Sequence, residues 1–261
     1  MSLNEIAAGG VKKKFGLMDQ SFSRFAVRSV LAGVYLAVGT GFAGVVGNSV
    51  EHLAPGLGAV AFSMLFGLGL FAIVILGADL ATGNMMFASY GAVTGQVGWG
   101  KAIWLVVVTT FFNLIGAAIF ALGMGVSAKL GHMPIDHLIV TLSEGKLNKG
   151  PGGLLVEGML ANFVVNMAIV GGLFAKEIVS KFVVIVPIIA CFVGLGLEHV
   201  IANFCLMTMA LFDSDQLPAV FDVQHIALNW IIVWVGNFIG GGLLIGGVYA
   251  WLNKGPEVYR D

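Results

Sequence analysis

Residues 76–86 read LGADLATGNMM and residues 195–207 read LGLEHVIANFCLM. Each stretch places an acidic residue close to a glycine in the middle of a long apolar segment. At the centre of a bilayer an acid costs about 2.5 to 3.5 kcal/mol on insertion scales, and irregular backbone at that depth must be enclosed by protein or line a cavity. If the two segments cross a membrane, both are therefore predicted to be broken helices.

The composition of the chain indicates a membrane protein. Of its 261 residues, 58% are apolar and only 10% are charged, whereas soluble proteins average about 25% charged residues. The 13 basic and 14 acidic side chains cannot cover a water-facing surface of this size. The net charge of −1 offers no basic stripe for counterion release, so no nucleic-acid partner is expected.

Six apolar windows are long enough to cross a hydrocarbon core of about 30 Å. Their approximate limits are 25–50, 57–93, 100–127, 152–175, 181–212 and 228–252. Cytoplasmic loops collect Lys and Arg, and with both termini inside, ten of the 13 basic residues fall on the cytoplasmic side. We therefore predict a multi-pass protein of the inner (cytoplasmic) membrane with both termini in the cytoplasm.

Two matches between the halves of the sequence predict an internal repeat. The pattern G-x-[DE]-x-x-x-[GA]-N begins at Gly77 and again at Gly196. The segment NLIGAAIFALG, residues 113–123, then matches NFIGGGLLIGG, residues 237–247. Because each half has three crossings, the second copy is upside down relative to the first. The two breaks are then expected to meet near the membrane midplane.

The predicted fold class is all-α: a polytopic membrane protein of six transmembrane helices in two inverted three-helix repeats, with helices 2 and 5 broken. Residues 1–261 form one transmembrane channel domain, with a cytoplasmic amphipathic arm over 1–24 and repeats of about 25–127 and 152–252. The sequence has no H-E-x-x-H or Cys-rich spacing. No metal, cofactor or enzyme activity is predicted.

The polar residues at the breaks are first interpreted as structural support. Asp79 and Glu198 are assigned to loop architecture, and Asn84 and Asn203 to backbone groups exposed where the helices are interrupted. His199 is different because it alone among the five histidines lies at membrane depth. Imidazole titrates near neutrality, so His199 is a candidate functional group, with a packed core histidine as the alternative.

The motifs GADLATGN and GLEHVIAN, together with EGMLANFVVNMAIV at residues 157–170, resemble the formate/nitrite transporter family over essentially the whole chain. The resemblance implies an aquaporin-like protomer with its own pore, assembled as a homopentamer in the lipid bilayer, that conducts small monovalent weak-acid anions. The hydrosulfide-channel branch is the most similar, so HS⁻ is expected first and formate or nitrite next. A neutral-solute channel for water or glycerol is the alternative, although neither break carries an N-P-A triplet.

The same resemblance implies roles for single residues. The central pore histidine of the family corresponds to His199, and the threonine of the first break corresponds to Thr82. The external lysine lies sixteen residues before an Asn of the fourth span, as Lys146 lies before Asn162. Such a lysine would concentrate anions at the outer mouth. Lys149 is the alternative for this role, and an ordinary solvated loop lysine is the plainer interpretation.

Two apolar constrictions on either side of the histidine are also implied by the resemblance: an outer one at Phe66 and Phe192 and an inner one at Leu70 and Leu80. Ordinary packing is the alternative for these side chains. A bare anion in an apolar slit incurs a Born penalty of tens of kcal/mol. A proton or hydrogen bond from His199 would lower that penalty, for example as HS⁻ becomes H₂S.

Two positions depart from the family pattern. Many members carry Phe where this chain has Ala81, and some carry a basic residue where it has Glu157. The width of the inner constriction and the electrostatic field at the outer mouth are therefore expected to differ from those of relatives. Glu157 is expected to face a vestibule, to pair with Lys149 or to line a subunit contact. The arm over 1–24 is expected either to gate the inner mouth or to anchor on anionic lipid.

Overall fold

The computed structural model describes residues 3–254, with side chains from residue 5 onward. Helices make up all the long elements of this part of the chain, and Met133 and Ser214 form an isolated β-bridge between loops. The predicted all-α architecture is therefore confirmed. Arg260, one of the basic residues assigned to the cytoplasmic side, lies outside the described residues, as does the end of the predicted 1–261 domain.

The helices follow one another with short connections. In chain order they are α1 (Leu3–Gln20), α2 (Phe22–Leu53), α3 (Gly58–Leu76), α4 (Ala81–Val93), α5 (Trp99–Met124), α6 (Leu138–Leu147), α7 (Pro151–Phe174), α8 (Ile178–Gly194), α9 (Val200–Asp213), α10 (Val223–Asn237), a π-helical segment (Phe238–Gly247) and α11 (Val248–Leu252).

Both long apolar segments are interrupted where the acids lie. Helix α3 ends at Gly77, which has a φ of +70°, and Gly196 follows α8 with a φ of +68°. This left-handed conformation is readily adopted only by glycine, and it ends a helix. After each glycine the chain runs extended for a few residues before α4 begins at Ala81 and α9 begins at Val200. The shared sequence pattern thus begins at the glycine of each break.

Five helices of the described chain are long and apolar enough to cross a membrane: α2, α3, α5, α7 and the continuous helix Val223–Leu252. The sequence predicts six spans. The difference arises in the fifth predicted span, which the break divides into α8 with 17 residues and α9 with 14 residues. Each half is shorter than the roughly 20 residues that cross a bilayer alone.

Glycines allow the helices to approach closely at two crossings. A Cβ atom on Gly116 of α5 would lie 2.0 Å from the carbonyl oxygen of Val30 on α2. A Cβ atom on Gly240 in the last helix would lie 1.9 Å from the carbonyl oxygen of Met159 on α7. Gly116 and Gly240 occupy the same place in the second sequence match, so both halves use a glycine to bring backbones together.

Helices α1 and α6 are not among the five long apolar helices, and each packs against the second half of a broken segment. Helix α1 packs against α4 and α6 packs against α9. An ion pair of 2.6 Å between Asp19 and Lys101 fastens the end of α1 to α5. The two cavities described next are named the α1-side and α6-side cavities after these helices.

Candidate functional site

Three cavities follow one another around the breaks. The α1-side cavity has a volume of about 190 Å³ and is lined in part by Leu70 and Leu80. The α6-side cavity has a volume of about 260 Å³ and is lined in part by Phe66 and Phe192. All four side chains also line a central cavity of about 10 Å³, together with His199. A volume this small has room for about one water molecule. The two larger cavities are therefore separated by an apolar region that contains one imidazole.

The two phenylalanines meet directly. The ring centroids of Phe66 and Phe192 are 5.9 Å apart at an interplanar angle of 82°, the edge-to-face arrangement that aromatic pairs prefer. Phe192 also lies 5.9 Å from the ring of His199, measured between centroids. Both phenylalanines and both leucines are buried. The structure therefore brings together the four residues that the resemblance assigns to constrictions.

His199 is held at both ring nitrogens. It is the N-cap of α9, where its Nδ1 accepts a hydrogen bond of 3.1 Å from the N–H of Ala202. Its Nε2 lies 2.9 Å from Oγ1 of Thr82. Because Nδ1 accepts, the hydrogen of the neutral ring belongs on Nε2, which donates to Thr82. The amide of Asn162 donates to the carbonyl oxygen of Thr82 at 3.2 Å and so fixes the backbone on the other side of this contact.

Glu198 lies at the centre of an ionic cluster beside the α6-side cavity. Its buried carboxylate contacts Nζ of Lys146 at 3.0 Å and Nζ of Lys149 at 2.7 Å. The amide of Asn203 donates to its second oxygen at 2.7 Å. Lys149 in addition forms an ion pair with Glu157, one of the three possibilities considered for that residue. Both lysines considered as the external lysine thus line the same cavity.

The pKa values of Lys146 and Lys149 are shifted in opposite directions. Burial lowers the pKa of Lys146, and the charge of Glu198 offsets this only in part. Burial also opposes the charge on Lys149, but Glu198 and Glu157 together outweigh it and raise the pKa of Lys149. Lys149 is therefore the more firmly protonated of the two.

The α1-side break has its own ion pair. Nζ of Lys14 in α1 lies 2.7 Å from the carboxylate of Asp79, and 5.2 Å from the ring centroid of Phe87. Arg28 donates to the carbonyl oxygen of Gly77 at 3.4 Å. The acidic residue at each break, Asp79 or Glu198, thus forms an ion pair with at least one lysine that does not belong to the interrupted helix.

Sequence reasoning missed Asn113, which bonds the backbone of the first break. Its Oδ1 accepts from the N–H of Ala81 at 2.9 Å, and its Nδ2 donates to the carbonyl oxygen of Asp79 at 2.9 Å. The same amide reaches the carbonyl oxygen of Ser29 at 2.7 Å and so ties the break to α2.

Asn237 was missed in the same way. Its Oδ1 accepts from the N–H of Val200 at 2.8 Å, and its Nδ2 donates to the carbonyl oxygens of Glu198 at 2.9 Å and Gly158 at 2.8 Å. The available signal was the second sequence match, because Asn113 and Asn237 are its first residues in the two halves.

Asn84 and Asn203 were expected to bond backbone groups exposed at the breaks, but their amides donate to side chains. Asn84 donates to Oγ1 of Thr109 at 3.1 Å. Asn203 donates to the carboxylate of Glu198 and to the side-chain oxygen of Asn229 at 2.8 Å. Both asparagines therefore make contacts between side chains, and the broken backbone has other partners.

Known proteins are similar to this chain in sequence and in fold. The formate channel FocA of Escherichia coli (strain K12) is 28% identical over 242 residues, which cover 85% of this chain and 83% of FocA. A solved FNT family ion channel superposes with a TM-score of 0.87 at 25% identity and covers 96% of this chain and 98% of that one. A solved pentameric formate channel with formate bound shares the fold, with a TM-score of 0.74 at 23% identity over 90% of this chain and 98% of that one.

The sequence pattern of one family, described as formate/nitrite transporter, matches residues 2–251. This match covers almost the entire chain, including both breaks and all three cavities. The chain therefore belongs to the formate/nitrite transporter family, whose members are anion channels and transporters and not enzymes.

Proposed function

We propose that this chain forms a membrane pore for small monovalent weak-acid anions, with hydrosulfide first and formate or nitrite next. One observation carries the proposal: His199 lines the small central cavity with two apolar pairs of side chains, and each pair also lines one of the two larger cavities, which are edged by lysines. The similarity to FocA, which is a formate channel, supports an anion as the permeating species.

The proposed protomer consists of two inverted three-helix repeats, each with a broken second helix, and has both termini in the cytoplasm. The matching glycine crossings and the matching contacts of Asn113 and Asn237 support this arrangement. With this orientation the α1-side cavity opens to the cytoplasm and the α6-side cavity opens outward. The solved pentameric relative supports assembly of five copies, each with its own pore.

The anion is proposed to approach along a positive field and then to cross a short dry region. Lys146 and Lys149 edge the α6-side cavity, and Lys13 and Lys14 edge the other. Fixed charges at the mouth of a cleft with low-dielectric walls raise the local concentration of the opposite ion. The central cavity is too small for a hydrated anion, so the permeating species is expected to lose its hydration there.

The hydrogen bonds of His199 favour a role for the neutral ring. Protonation at Nδ1 would remove the acceptor that caps the N–H of Ala202. The neutral ring instead donates through Nε2 to Thr82, which leaves the hydroxyl hydrogen of Thr82 for another acceptor. We infer that the Thr82 and His199 pair offers a hydrogen bond to the anion between the two constrictions. A hydrogen bond at this point offsets part of the cost of dehydration.

Reconstitution into liposomes tests the proposal. Gradients of formate, nitrite or hydrosulfide are expected to drive flux above that of protein-free liposomes. Osmotic shrinkage that does not depend on the anion would instead favour a neutral-solute channel. Absence of flux for all three anions would refute an anion pore.

His199→Asn separates function from architecture. Asn is a favourable N-cap residue and retains an acceptor for the helix N–H groups, so the variant is expected to assemble as wild type does. Protonation of the wild-type ring at Nδ1 would disrupt the site in acid, whereas Asn does not titrate, so the pH dependence of formate flux is expected to change in the variant. Loss of assembly in this variant would show that His199 is a structural residue.

A further inference from the structure

The charge cluster of the α6-side cavity has a member that the proposed pore does not need. Glu157 lies in the second turn of α7 and is half-exposed, with a relative side-chain exposure of 33%. Its carboxylate forms an ion pair with Lys149 and with no other lysine or arginine of the described chain. Lys149 does not depend on Glu157 for a partner, because it also contacts Glu198 at 2.7 Å and donates to the carbonyl oxygen of Gly196 at 2.8 Å.

The formal charges of this cluster cancel. Lys146 and Lys149 contribute two positive charges, and Glu198 and Glu157 contribute two negative charges. Without Glu157, this four-residue cluster would carry one net positive charge. The cluster therefore contains a lysine whose attraction for anions is offset by a carboxylate that is partly open to solvent.

The two mouths differ in where their carboxylates lie. The residues that line the α6-side cavity include Lys146 and Lys149 and no acid, so their net charge is +2, and the carboxylates of Glu198 and Glu157 lie behind this lining. Lys13, Lys14 and Arg28 line the α1-side cavity with a single carboxylate, that of Asp79, which gives a net charge of +2 among its lining residues. Each break supplies one acid, and the α6-side cluster has a second acid, Glu157 of α7, which pairs with the lining residue Lys149 without lining the cavity itself.

We propose that Glu157 weakens the capture of anions at the α6-side mouth by offsetting the charge of Lys149. The inference rests on the proposed anion pore and adds a residue that sets its apparent affinity. Glu157 is a positioning and charge-balancing residue, since the residues lining the α6-side cavity include Lys149 and not Glu157 itself.

Formate flux into liposomes, measured against formate concentration at low ionic strength, tests this role. Glu157→Gln keeps the shape of the side chain and changes the cluster from neutral to +1. The half-saturating formate concentration is expected to fall about three- to tenfold, since one charge acts over a few ångströms at a partly solvated site. In about 0.5 M of an impermeant salt the difference is expected to shrink to less than about twofold, because the Debye length is then only a few ångströms.

Two further variants distinguish charge from shape. Lys149→Gln makes the cluster −1 and is expected to raise the half-saturating concentration. The double variant Glu157→Gln/Lys149→Gln is neutral again and is expected to return within about twofold of wild type. Glu144→Gln is the matched control, because Glu144 lies on α6, the helix that also carries Lys146, but neither lines the cavity nor forms an ion pair within the described residues. It is expected to change the half-saturating concentration by less than about twofold.

The outcomes separate this inference from the proposed function. If the wild-type protein carries no formate, the anion pore and the role of Glu157 both fail. If the wild type conducts but Glu157→Gln matches Glu144→Gln, only the role of Glu157 is refuted. Shifts of the same sign for Glu157→Gln and Lys149→Gln, or a shift that high salt leaves unchanged, would likewise overturn the charge-balance explanation.

Discussion

Asn113 and Asn237 make matching hydrogen bonds at the two helix breaks. Each accepts from the N–H of the first residue of a second half-helix, Ala81 or Val200. Each also donates to the carbonyl oxygen two residues earlier, at the acid of the break. Irregular backbone at membrane depth requires partners for its polar groups, and in both halves one asparagine supplies them. The two breaks are therefore held by asparagines of other helices, Asn113 of α5 and Asn237 of α10.

Replacing either asparagine by alanine is expected to destabilise the protein. In the buried first break, Asn113→Ala leaves the N–H of Ala81 and the carbonyl oxygen of Asp79 without this partner, and an orphaned buried group costs about 1 to 3 kcal/mol. It also removes the contact with the carbonyl oxygen of Ser29 on α2. The thermal midpoint of the detergent-solubilised protein is expected to fall clearly. Asn148→Ala, at the exposed end of α6, is the control and should change it little. Equal midpoints for Asn113→Ala and Asn148→Ala would contradict this account of the breaks.

The breaks themselves were predictable from sequence for a physical reason. An acid next to glycine inside a long apolar segment cannot continue as a lipid-exposed helix. Gly77 and Gly196 also adopt the left-handed conformation that glycine favours. A pattern of this kind marks a helix end irrespective of the neighbouring helices.

Hydrogen-bond and ion-pair partners that lie on different helices were less predictable from the sequence. Asn84 and Asn203 lie near the breaks in sequence, yet Asn113 and Asn237 reach the broken backbone from other helices. Sequence separation does not reveal which of several buried amides meets a given carbonyl. The pairing of Lys149 with two carboxylates depends likewise on how α6 and α7 pack, and sequence spacing left it as one of several possibilities.

Thr82→Val is expected to reduce anion flux without loss of the fold. Valine matches the shape of threonine but cannot accept from Nε2 of His199, which lies 2.9 Å from Oγ1. It also removes the hydroxyl proposed to donate to the anion, so we expect formate flux to fall by about tenfold or more, as for loss of one buried hydrogen bond of 1 to 2 kcal/mol. Thr82→Ser retains the hydroxyl and should keep most of the flux. Equal flux in the valine and serine variants would remove Thr82 from the proposed pathway.

Leu80→Ala is expected to widen the inner constriction and to relax size selectivity. Leu80 lines both the central cavity and the α1-side cavity, and the next residue is the small Ala81. Truncation to alanine removes side-chain atoms that line both cavities, so the space that joins them is expected to widen. Acetate flux is expected to rise relative to formate flux in liposomes. Leu76→Ala, an exposed position at the end of α3, serves as the control and should leave this ratio unchanged. An unchanged ratio in Leu80→Ala would show that the constriction lies elsewhere.

Low pH is expected to destabilise the loop that carries α6, because His137 in this loop becomes protonated. This residue is the N-cap of α6, and its Nδ1 accepts from the N–H of Ile139 at 3.2 Å. Burial lowers the pKa of His137 to about 4, with Asp136 opposing the shift and His52 adding to it. The unfolded chain, with a pKa near 6.5, therefore binds the proton more readily between about pH 6.5 and pH 4. Stability is unaffected above this window and falls as the pH decreases through it.

The thermal midpoint of the detergent-solubilised protein at pH 7.5 and pH 5 measures this effect. A pKa difference of this size corresponds to about 2 kcal/mol at pH 5. His137→Asn retains a cap that does not titrate, so its midpoint should depend less on pH than that of the wild type. His132→Asn is the matched control, because His132 is exposed and has a φ of +64°, which Asn tolerates. If His132→Asn flattens the pH dependence as much as His137→Asn does, the buried cap is not its source, and the acid sensitivity belongs to exposed groups of the same loop.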